Sequence, residues 1–277
     1  METATAAPNR KYKDSMITAL FGTPEKSLEI YNAIKGTNYS DPSKVKIVTL
    51  PNVLYGEQLN DIAFTIEGKL VVLMEHQSTL NKNMPLRMLL YIGREYEMLT
   101  DRRDLYMVNM KKIPAPEFIV LYNGTAEMDD YVELRLSDMF EMGPDSPNLE
   151  LVVKAYNINK GRNVEIAARS RSLSDYEEFI ADIRLNLKTM PLSEAIKASI
   201  RSFLGRGIFV DFLTRYGSEV ENMLFQEWNW DEALAVRFDE GVAKGHDELF
   251  ALWESGISLG EAKQKFGYLD KAKPHYD

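Results

Sequence analysis

The sequence has no cysteine and only three histidines among its 277 residues. Without cysteine there can be no disulfide bond, cysteine-ligated zinc, iron–sulfur cluster or thiol nucleophile. With only His76, His246 and His275 present, a metal centre built on histidine side chains is not expected either. Metal chemistry in this chain is therefore expected to use oxygen ligands.

Long apolar runs and an excess of positive charge are also missing. Apolar runs such as Leu70–Met74 are far shorter than the roughly 20 residues that span a bilayer, and the first ten residues lack an apolar stretch of signal-peptide length. These absences predict a soluble, cytoplasmic protein with no membrane partner. The net charge of −9 argues against a surface that is basic all round, so any nucleic-acid contact has to be local.

The composition that remains, 45% hydrophobic and 27% charged, is that of a folded protein. Hydrophobic periodicity and turn residues predict alternating helices and strands up to about residue 160. The predicted helices cover residues 14–21, 24–35 and 84–99, and the predicted strands cover residues 45–50, 61–66, 70–77, 118–122 and 149–155. On the third helix, one apolar stripe contains Leu86, Leu89, Leu90 and Gly93.

The pattern becomes almost wholly helical from Ser174, where Ser174 and Glu177 have the spacing of a capping box. We therefore expect four regions along the chain. They are a disordered N-terminus at residues 1–12, an α/β domain at 13–165, a helical region at 166–230 and a helical tail at 231–277.

The segment with chemical potential is NDIAFTIEGKLVVLMEHQS at residues 60–78, in which two β-rich runs flank Glu67-Gly68-Lys69. A three-residue turn centred on Gly68 would place Asp61 directly opposite Glu75. Because side chains alternate along a strand, Gln77 would share the face of Glu75. This interpretation predicts two carboxylates and a carboxamide at one end of a hairpin.

Two carboxylates that face each other on a buried hairpin repel, and a divalent cation is the simplest compensation. Magnesium binds one or two carboxylates together with water and a substrate phosphate, and it can polarise both. The residues alone leave a plainer interpretation open, in which Asp61 and Glu75 lie at a solvated strand end.

Asp61, followed after thirteen residues by Glu75 and then by Gln77, resembles the D…ExK signature of the PD-(D/E)XK nuclease superfamily, with glutamine in place of lysine. Much of residues 14–225 resembles the bacterial recombination-promoting nuclease (Rpn)/transposase family. The resembling segments are ALFGTPEKSLEIYNAIKGTNY, LNDIAFTI, MEHQSTLNKNMPLRMLLYIGREYE, FIVLYNGT and ELVVKAYNINKG. The resemblance implies an α/β fold with a PD-(D/E)XK restriction-endonuclease-like core (αβββαβ), followed by a helical C-terminal region.

The resemblance also implies roles for the three residues. Asp61 and Glu75 would bind the catalytic metal with the backbone carbonyl of His76, and Gln77 would orient the attacking water. Lysine supplies positive charge at that position, whereas glutamine is neutral. The expected ion is Mg²⁺, with Mn²⁺ or Ca²⁺ as substitutes.

The expected activity is that of a Mg-dependent DNA endonuclease, linked by resemblance to recombination, mobile elements or phage defence. The acidic charge and the missing lysine keep a catalytically silent binding or regulatory module open as an alternative, and an RNA-directed nuclease is another. The expected partners are DNA and a second copy of the chain, bound through the helical C-terminal region. A protein inhibitor is left open.

Other candidates have less support from the sequence. Arg87, Tyr91 and Arg94 follow helical spacing that could present them to phosphates, although the two arginines could equally pair with nearby acids. Glu29 could be a further acid of the site, but its polar helix face predicts a solvated glutamate. Base stacking by Trp228, Trp230 or Trp253 is disfavoured against packing.

Overall fold

In the computed structural model of the chain, residues 16–48, 61–76, 80–142, 147–217 and 219–224 are described. Backbone alone is described for residues 61, 73–76 and 102. All of these residues belong to one compact unit that ends at Glu227. The predicted N-terminal segment 1–12 and the predicted tail 231–277 lie outside the described residues.

Helices and strands alternate along the first part of this unit, and helices follow. The helices are α1 (Met16–Phe21), α2 (Pro24–Lys35), α3 (Met84–Leu99), α4 (Val164–Arg169), α5 (Arg171–Asn186) and α6 (Leu192–Arg206). The strands are β1 (Lys46–Ile47), β2 (Asp61–Ile66), β3 (Lys69–His76), β4 (Ala115–Tyr122), β5 (Tyr131–Arg135) and β6 (Val152–Asn157). The α/β class expected from the sequence is therefore confirmed.

The six strands form one mixed sheet in the order β1-β2-β3-β4-β6-β5. The β1–β2, β2–β3 and β5–β6 pairs are antiparallel, whereas β3–β4 and β4–β6 are parallel. The β3–α3–β4 connection is the helical crossover that a parallel pair requires. Consequently the carboxyl ends of β3, β4 and β6 lie at one edge of the sheet, which we call the carboxyl edge.

Helices cover both faces of the sheet. On one face, α3 packs Met84, Met88 and Tyr91 into a buried cluster with Leu70, Val72 and other apolar strand residues. On the other, Tyr31 of α2 meets Phe64 edge-to-face at 6.1 Å between ring centroids. Because both faces are covered, successive residues of β2 and β3 are buried, as the continuous apolar runs of these strands predicted.

The ends of α2 agree with the sequence prediction. Thr23 is the N-cap and accepts a hydrogen bond from the Lys26 amide, Pro24 begins the helix, and Gly36 ends it with a φ of 68°. Glycine adopts this left-handed conformation without the steric cost of a Cβ atom.

The predicted capping box at Ser174 and Glu177 is wrong. Helix α5 begins at Arg171, and the Oγ of its N-cap, Ser170, accepts a hydrogen bond from the Leu173 amide at 3.1 Å. The earlier serine caps the helix because its oxygen and the start of α5 are held by Glu29 of α2. Glu177 is instead buried within the helical layer.

The predicted apolar stripe of α3 does not describe its packing. The buried side of the helix consists of Met84, Pro85, Met88, Tyr91, Ile92 and Glu95. Leu86, Leu90 and Gly93, which belonged to the predicted stripe, are exposed. The helix therefore carries apolar residues both toward the sheet and away from it.

Strand β5 was not predicted, because its residues YVELR alternate polar and apolar at the edge of the sheet and give no continuous apolar run. Helices α4, α5 and α6 pack successively on one another, and α4 packs on α2. Within the described ranges, no helix is both long and apolar enough to cross a bilayer.

Candidate functional site

The β2–β3 hairpin has a tighter turn than predicted. Ile66 pairs with Lys69, and the two turn residues, Glu67 and Gly68, have φ values of 46° and 78°. Positive φ at both central residues is typical of a two-residue hairpin turn whose twist matches the strands. The prediction of a three-residue turn is therefore wrong, and the register is shifted by one residue.

The shift changes which residues oppose each other. Asp61 pairs with Met74 rather than with Glu75. The described side chains agree with this register, because Ala63 pairs with Val72 and lies in the α3-side cluster with Leu70 and Val72, whereas a three-residue turn would place it opposite Leu73.

This register removes one argument for a shared cation. In a regular antiparallel pair, residues one register position apart lie on opposite faces. The hairpin geometry used in the sequence analysis thus gives Asp61 and Glu75 no independent support as a metal pair. Their assignment as site residues stays a prediction that depends on the resemblance.

The backbone does place Asp61 and Glu75 at the same end of the sheet. Asp61 begins β2, and Glu75 is the last but one residue of β3, so both lie at the carboxyl edge. Ligands of open α/β sheets bind outside this edge. Gln77 follows β3 directly and lies outside the described residues.

Among the side chains that the structure describes, no group of three or more His, Asp and Glu residues could hold a metal ion. The side chains of Asp61 and Glu75 are not part of that set. The chemical fit of a hard cation therefore depends on the donor type alone, since two carboxylates are what magnesium prefers.

The same edge carries an asparagine network that the sequence analysis missed. Asn123 follows β4, Asn157 ends β6, and both are buried. Asn157 Nδ2 donates to the Met128 carbonyl at 2.9 Å, and Asn159 Nδ2 donates to Asn157 Oδ1 at 2.9 Å. These bonds fix the loops that leave the two parallel strands.

Helix α5 is joined to this network. Arg184 donates to the Oδ1 atoms of Asn159 and Asn123, at 2.5 and 3.3 Å, and also to the Asn123 carbonyl. Asn123 Nδ2 donates to the hydroxyl of Tyr176 at 2.9 Å. The network therefore connects the ends of β4 and β6 to each other and to α5. Its sequence signal is an asparagine at the end of one buried strand or directly after the other, in YNINKG and YNGT.

Glu29 is not the solvated glutamate that its helix face predicted. Its carboxylate accepts hydrogen bonds from Ser170 Oγ at 2.8 Å, the Ser172 amide at 2.9 Å and Lys26 Nζ at 2.8 Å. Burial alone would raise the pKa of Glu29. The hydrogen bonds from Lys26, Ser172 and Ser170 together lower the pKa by more than burial raises it, so the pKa lies below its usual value. Glu29 therefore connects α2 to the start of α5.

The three residues of α3 that the sequence suggested for phosphate contact differ in how far they are exposed. Tyr91 is fully buried in the core cluster, whereas Arg94 is exposed, and Arg87 is half-buried near Met84. The interpretation that all three share a phosphate-facing surface is wrong. Arg87 lies in the first turn of α3, the helix that follows β3 along the chain.

Glu177 is a buried acid that the sequence did not indicate. It is 6% exposed, and its Oε1 has no hydrogen-bond partner among the described residues. Burial raises the pKa of this carboxyl to about 8. Glu177 is therefore a neutral acid at neutral pH, one helical turn after Leu173 on α5.

Comparison with known proteins adds no relative. No family model, curated protein or solved structure matches this chain. The resemblance to the Rpn/transposase family accordingly depends on the segments quoted above.

Proposed function

We propose that this chain is a Mg-dependent DNA endonuclease of the PD-(D/E)XK type, with Asp61, Glu75 and Gln77 as its site. The observation that carries the proposal is the order of elements around the hairpin. Helix α2 precedes β1, β2 and β3, and α3 crosses over to β4, which is the αβββαβ succession of that core. Asp61 and Glu75 occupy the same end of the hairpin within this order.

The proposed roles follow from the chemistry of the side chains. Asp61 and Glu75 supply the carboxylate oxygens that would hold the ion. Bound magnesium supplies positive charge that stabilises a developing phosphorane and favours hydroxide over water. Gln77 carries a carboxamide that both donates and accepts, so it orients a water molecule without contributing charge.

Position on the sheet supports a phosphate substrate at this edge. The network of Asn123, Asn159 and Arg184 keeps the neighbouring strand ends fixed. Rigid support of this kind is needed to hold reacting groups in place. The net charge of −9 makes a local, metal-assisted phosphate contact the electrostatically favoured mode of binding.

The experiment is magnesium-dependent cleavage of duplex DNA by the wild type and by Asp61→Asn and Glu75→Gln. We expect each substitution to lower the cleavage rate by about 100-fold or more, since each removes a group that stabilises the transition state. Glu67→Gln is the matched control, because it removes one charge from the turn of the same hairpin, where Glu67 forms an ion pair with exposed Lys44 at 3.1 Å.

Equal rates in the wild type and both site variants, or cleavage that survives EDTA, would contradict the proposal. A parallel series on single-stranded and duplex RNA decides the substrate. Faster cleavage of RNA than of DNA would mean that the same site belongs to an RNA-directed nuclease.

A second function is favoured by the hairpin register. Because Asp61 opposes Met74 and not Glu75, the site could be retained without a shared metal, as in a catalytically silent binding or regulatory module. Titration calorimetry with Mg²⁺ and Mn²⁺ separates the two functions. A folded protein with no heat of metal binding, and no change in Glu75→Gln, would support the silent module.

A further inference from the structure

Six large apolar residues lie exposed within the loop that joins α3 to β4. They are Leu105, Tyr106, Met107, Val108, Met110 and Ile113. Val108 is fully exposed, and Tyr106 is 89% exposed. We call residues 105–113 the apolar loop. Scattered exposed apolar residues are ordinary, but a contiguous set of this size marks a binding surface.

The apolar loop is built as a firm structure. Asp101 Oδ1 accepts a hydrogen bond from the Arg103 amide, and the Asp101 amide donates to Asp104, which together make a capping box. Lys111 then closes the loop onto Asp104 with an ion pair at 2.6 Å. A loop that is ordered before binding loses little conformational entropy when it binds.

A cavity of about 590 Å³ lies between α3 and the start of β4 and β6. Its apolar lining includes Leu89, Gly93, Tyr96, Phe118 and Leu151. We call this cavity the α3 groove. Its wall is tied to the end of the loop, because the Tyr96 hydroxyl donates to the Pro114 carbonyl at 2.7 Å.

The surface continues beyond the loop and groove. Leu90, Met98 and Leu99 of α3 are exposed nearby, and so is Leu149 at the groove. If each large side chain offers on the order of 100 Å², the surface amounts to roughly 1,000 Å² per copy. A standard stable interface buries about 800 Å² on each partner, so this surface is large enough for one.

We propose that two copies of this chain bind each other through this surface, each inserting its apolar loop into the α3 groove of the other. A two-fold axis makes such contacts reciprocal, because a projection and a recess on one surface complement each other in a second copy. In this proposal Tyr106 and Met107 are the side chains that would enter the groove, because both are exposed and because aromatic residues and methionine are enriched at interface centres. This surface differs from the C-terminal region that the sequence suggested for dimerisation.

The proposal does not depend on nuclease activity. The α3 groove lies at the amino ends of β4 and β6, away from the carboxyl edge that holds Asp61 and Glu75. Dimerisation and cleavage can therefore be tested separately, and either can fail alone.

The test is sedimentation velocity of the full chain over a range of micromolar concentrations. The wild type is expected to sediment as a dimer with twice the chain mass of 31.7 kDa. Val108→Asp places a charge in the interface and is expected to raise the dissociation constant by at least tenfold. Val164→Asp is the matched control, because Val164 is an exposed valine at the start of α4, remote from the surface.

A second pair of variants tests the groove without risking the fold. A Cβ atom added at Gly93 meets nothing within 4 Å, so a larger side chain extends into open space at the groove. Gly93→Phe is expected to block the partner's loop and to yield monomers, whereas Gly93→Ala is expected to remain dimeric. Circular dichroism of both variants verifies that they are folded.

One result would overturn the proposal, and two further measurements on the monomer would then show what covers the loop instead. A wild type that is monomeric at all concentrations excludes the second copy as the partner. If that monomer binds vesicles of phosphatidylserine and phosphatidylcholine, and Val108→Asp abolishes binding, the loop and its neighbours Arg103 and Lys112 serve an anionic lipid surface. If Val108→Asp instead lowers the melting temperature of a monomer, the chain itself covers the loop.

Discussion

Replacing Glu177 by glutamine tests whether a buried, neutral carboxyl makes the folded state sensitive to pH. Glu177 is 6% exposed, and burial raises its pKa from the usual 4.5 to about 8. Below pH 4.5 this carboxyl holds its proton in both the folded and the unfolded chain. Between pH 4.5 and 8, the unfolded chain releases the proton while the folded chain keeps it.

The sign of the effect follows from this difference. Since the folded state binds more protons in this window, the free energy of unfolding falls as pH rises, by about 1.4 kcal/mol per pH unit. From pH 4.5 to pH 7 the loss is about 3 kcal/mol, and it is complete once the pH exceeds the folded pKa. Three kcal/mol is a large part of the about 5–15 kcal/mol that stabilises a typical domain.

The assay is urea unfolding of the wild type and Glu177→Gln at several pH values between 4.5 and 8. Glutamine has nearly the same shape and no charge, so the variant lacks this pH dependence. We expect its free energy of unfolding, relative to the wild type, to rise by about 3 kcal/mol between pH 4.5 and pH 7. Using the change with pH cancels any constant cost of burying the amide.

The matched control is the neighbouring residue. Glu178→Gln removes the same charge from an exposed glutamate that pairs with Arg206 at 3.3 Å. If the difference between Glu177→Gln and the wild type stays flat with pH, or if Glu178→Gln shows the same rise, the reasoning about burial is refuted.

Two further predictions concern stability. Glu29→Ala is expected to lower the free energy of unfolding at pH 7 by about 3 kcal/mol in urea denaturation, because it leaves the Ser172 amide and the Ser170 hydroxyl without their acceptor. Glu25→Ala, on the same helix, is the control. Since the folded pKa of Glu29 lies below its usual value, this contribution is present above pH 4.5 and is lost as the pH falls below it, so a loss that persists unchanged in acid would contradict the assignment. Gly68→Ala is expected to destabilise the protein by about 1 kcal/mol in thermal unfolding, because its φ of 78° suits only glycine while its Cβ would clash with nothing. Gly93→Ala, in a helix, should be neutral or stabilising, and a reversed order of the two glycine variants would refute the conformational argument.

The sequence predicted those parts of the fold in which one local signal decides the outcome. Helix α2 carries a capping threonine, a proline at its first position and a glycine after its end, and each of these was found in its expected role. The strands β2 and β3 were recognised because both faces of the sheet are covered, which makes their residues apolar without interruption. Local chemistry alone was sufficient in these cases.

The register of the hairpin depended on a choice that the sequence leaves open. Glu67-Gly68-Lys69 fits a three-residue turn, and Glu67-Gly68 fits a two-residue turn, if a glutamate accepts positive φ. The structure has the second arrangement, with Glu67 at a φ of 46°. One residue of difference is enough to alter the pairing of every residue along both strands, including Asp61.

Long-range partners account for the other features that the sequence did not reveal. Nothing near Glu29 in the chain indicates that Ser170 and Ser172 bind it, since they lie more than 140 residues away. The same holds for Arg184, whose acceptors follow strands β4 and β6. The start of α5 was consequently placed at the wrong serine, because the better cap is defined by a partner on another helix.

Helix α3 shows why a correct element can be given the wrong packing. Its sequence is apolar on two sides, so periodicity identifies a helix but cannot say which side meets the sheet. The sheet takes the side with Met84, Met88 and Tyr91, and Leu86 and Leu90 are left in solvent. Exposing the second apolar side of the helix to water is unfavourable in free energy unless another surface covers it. Leu90 belongs to the same proposed surface as the apolar loop, and its exposure adds a reason, independent of the loop, to expect a partner on α3.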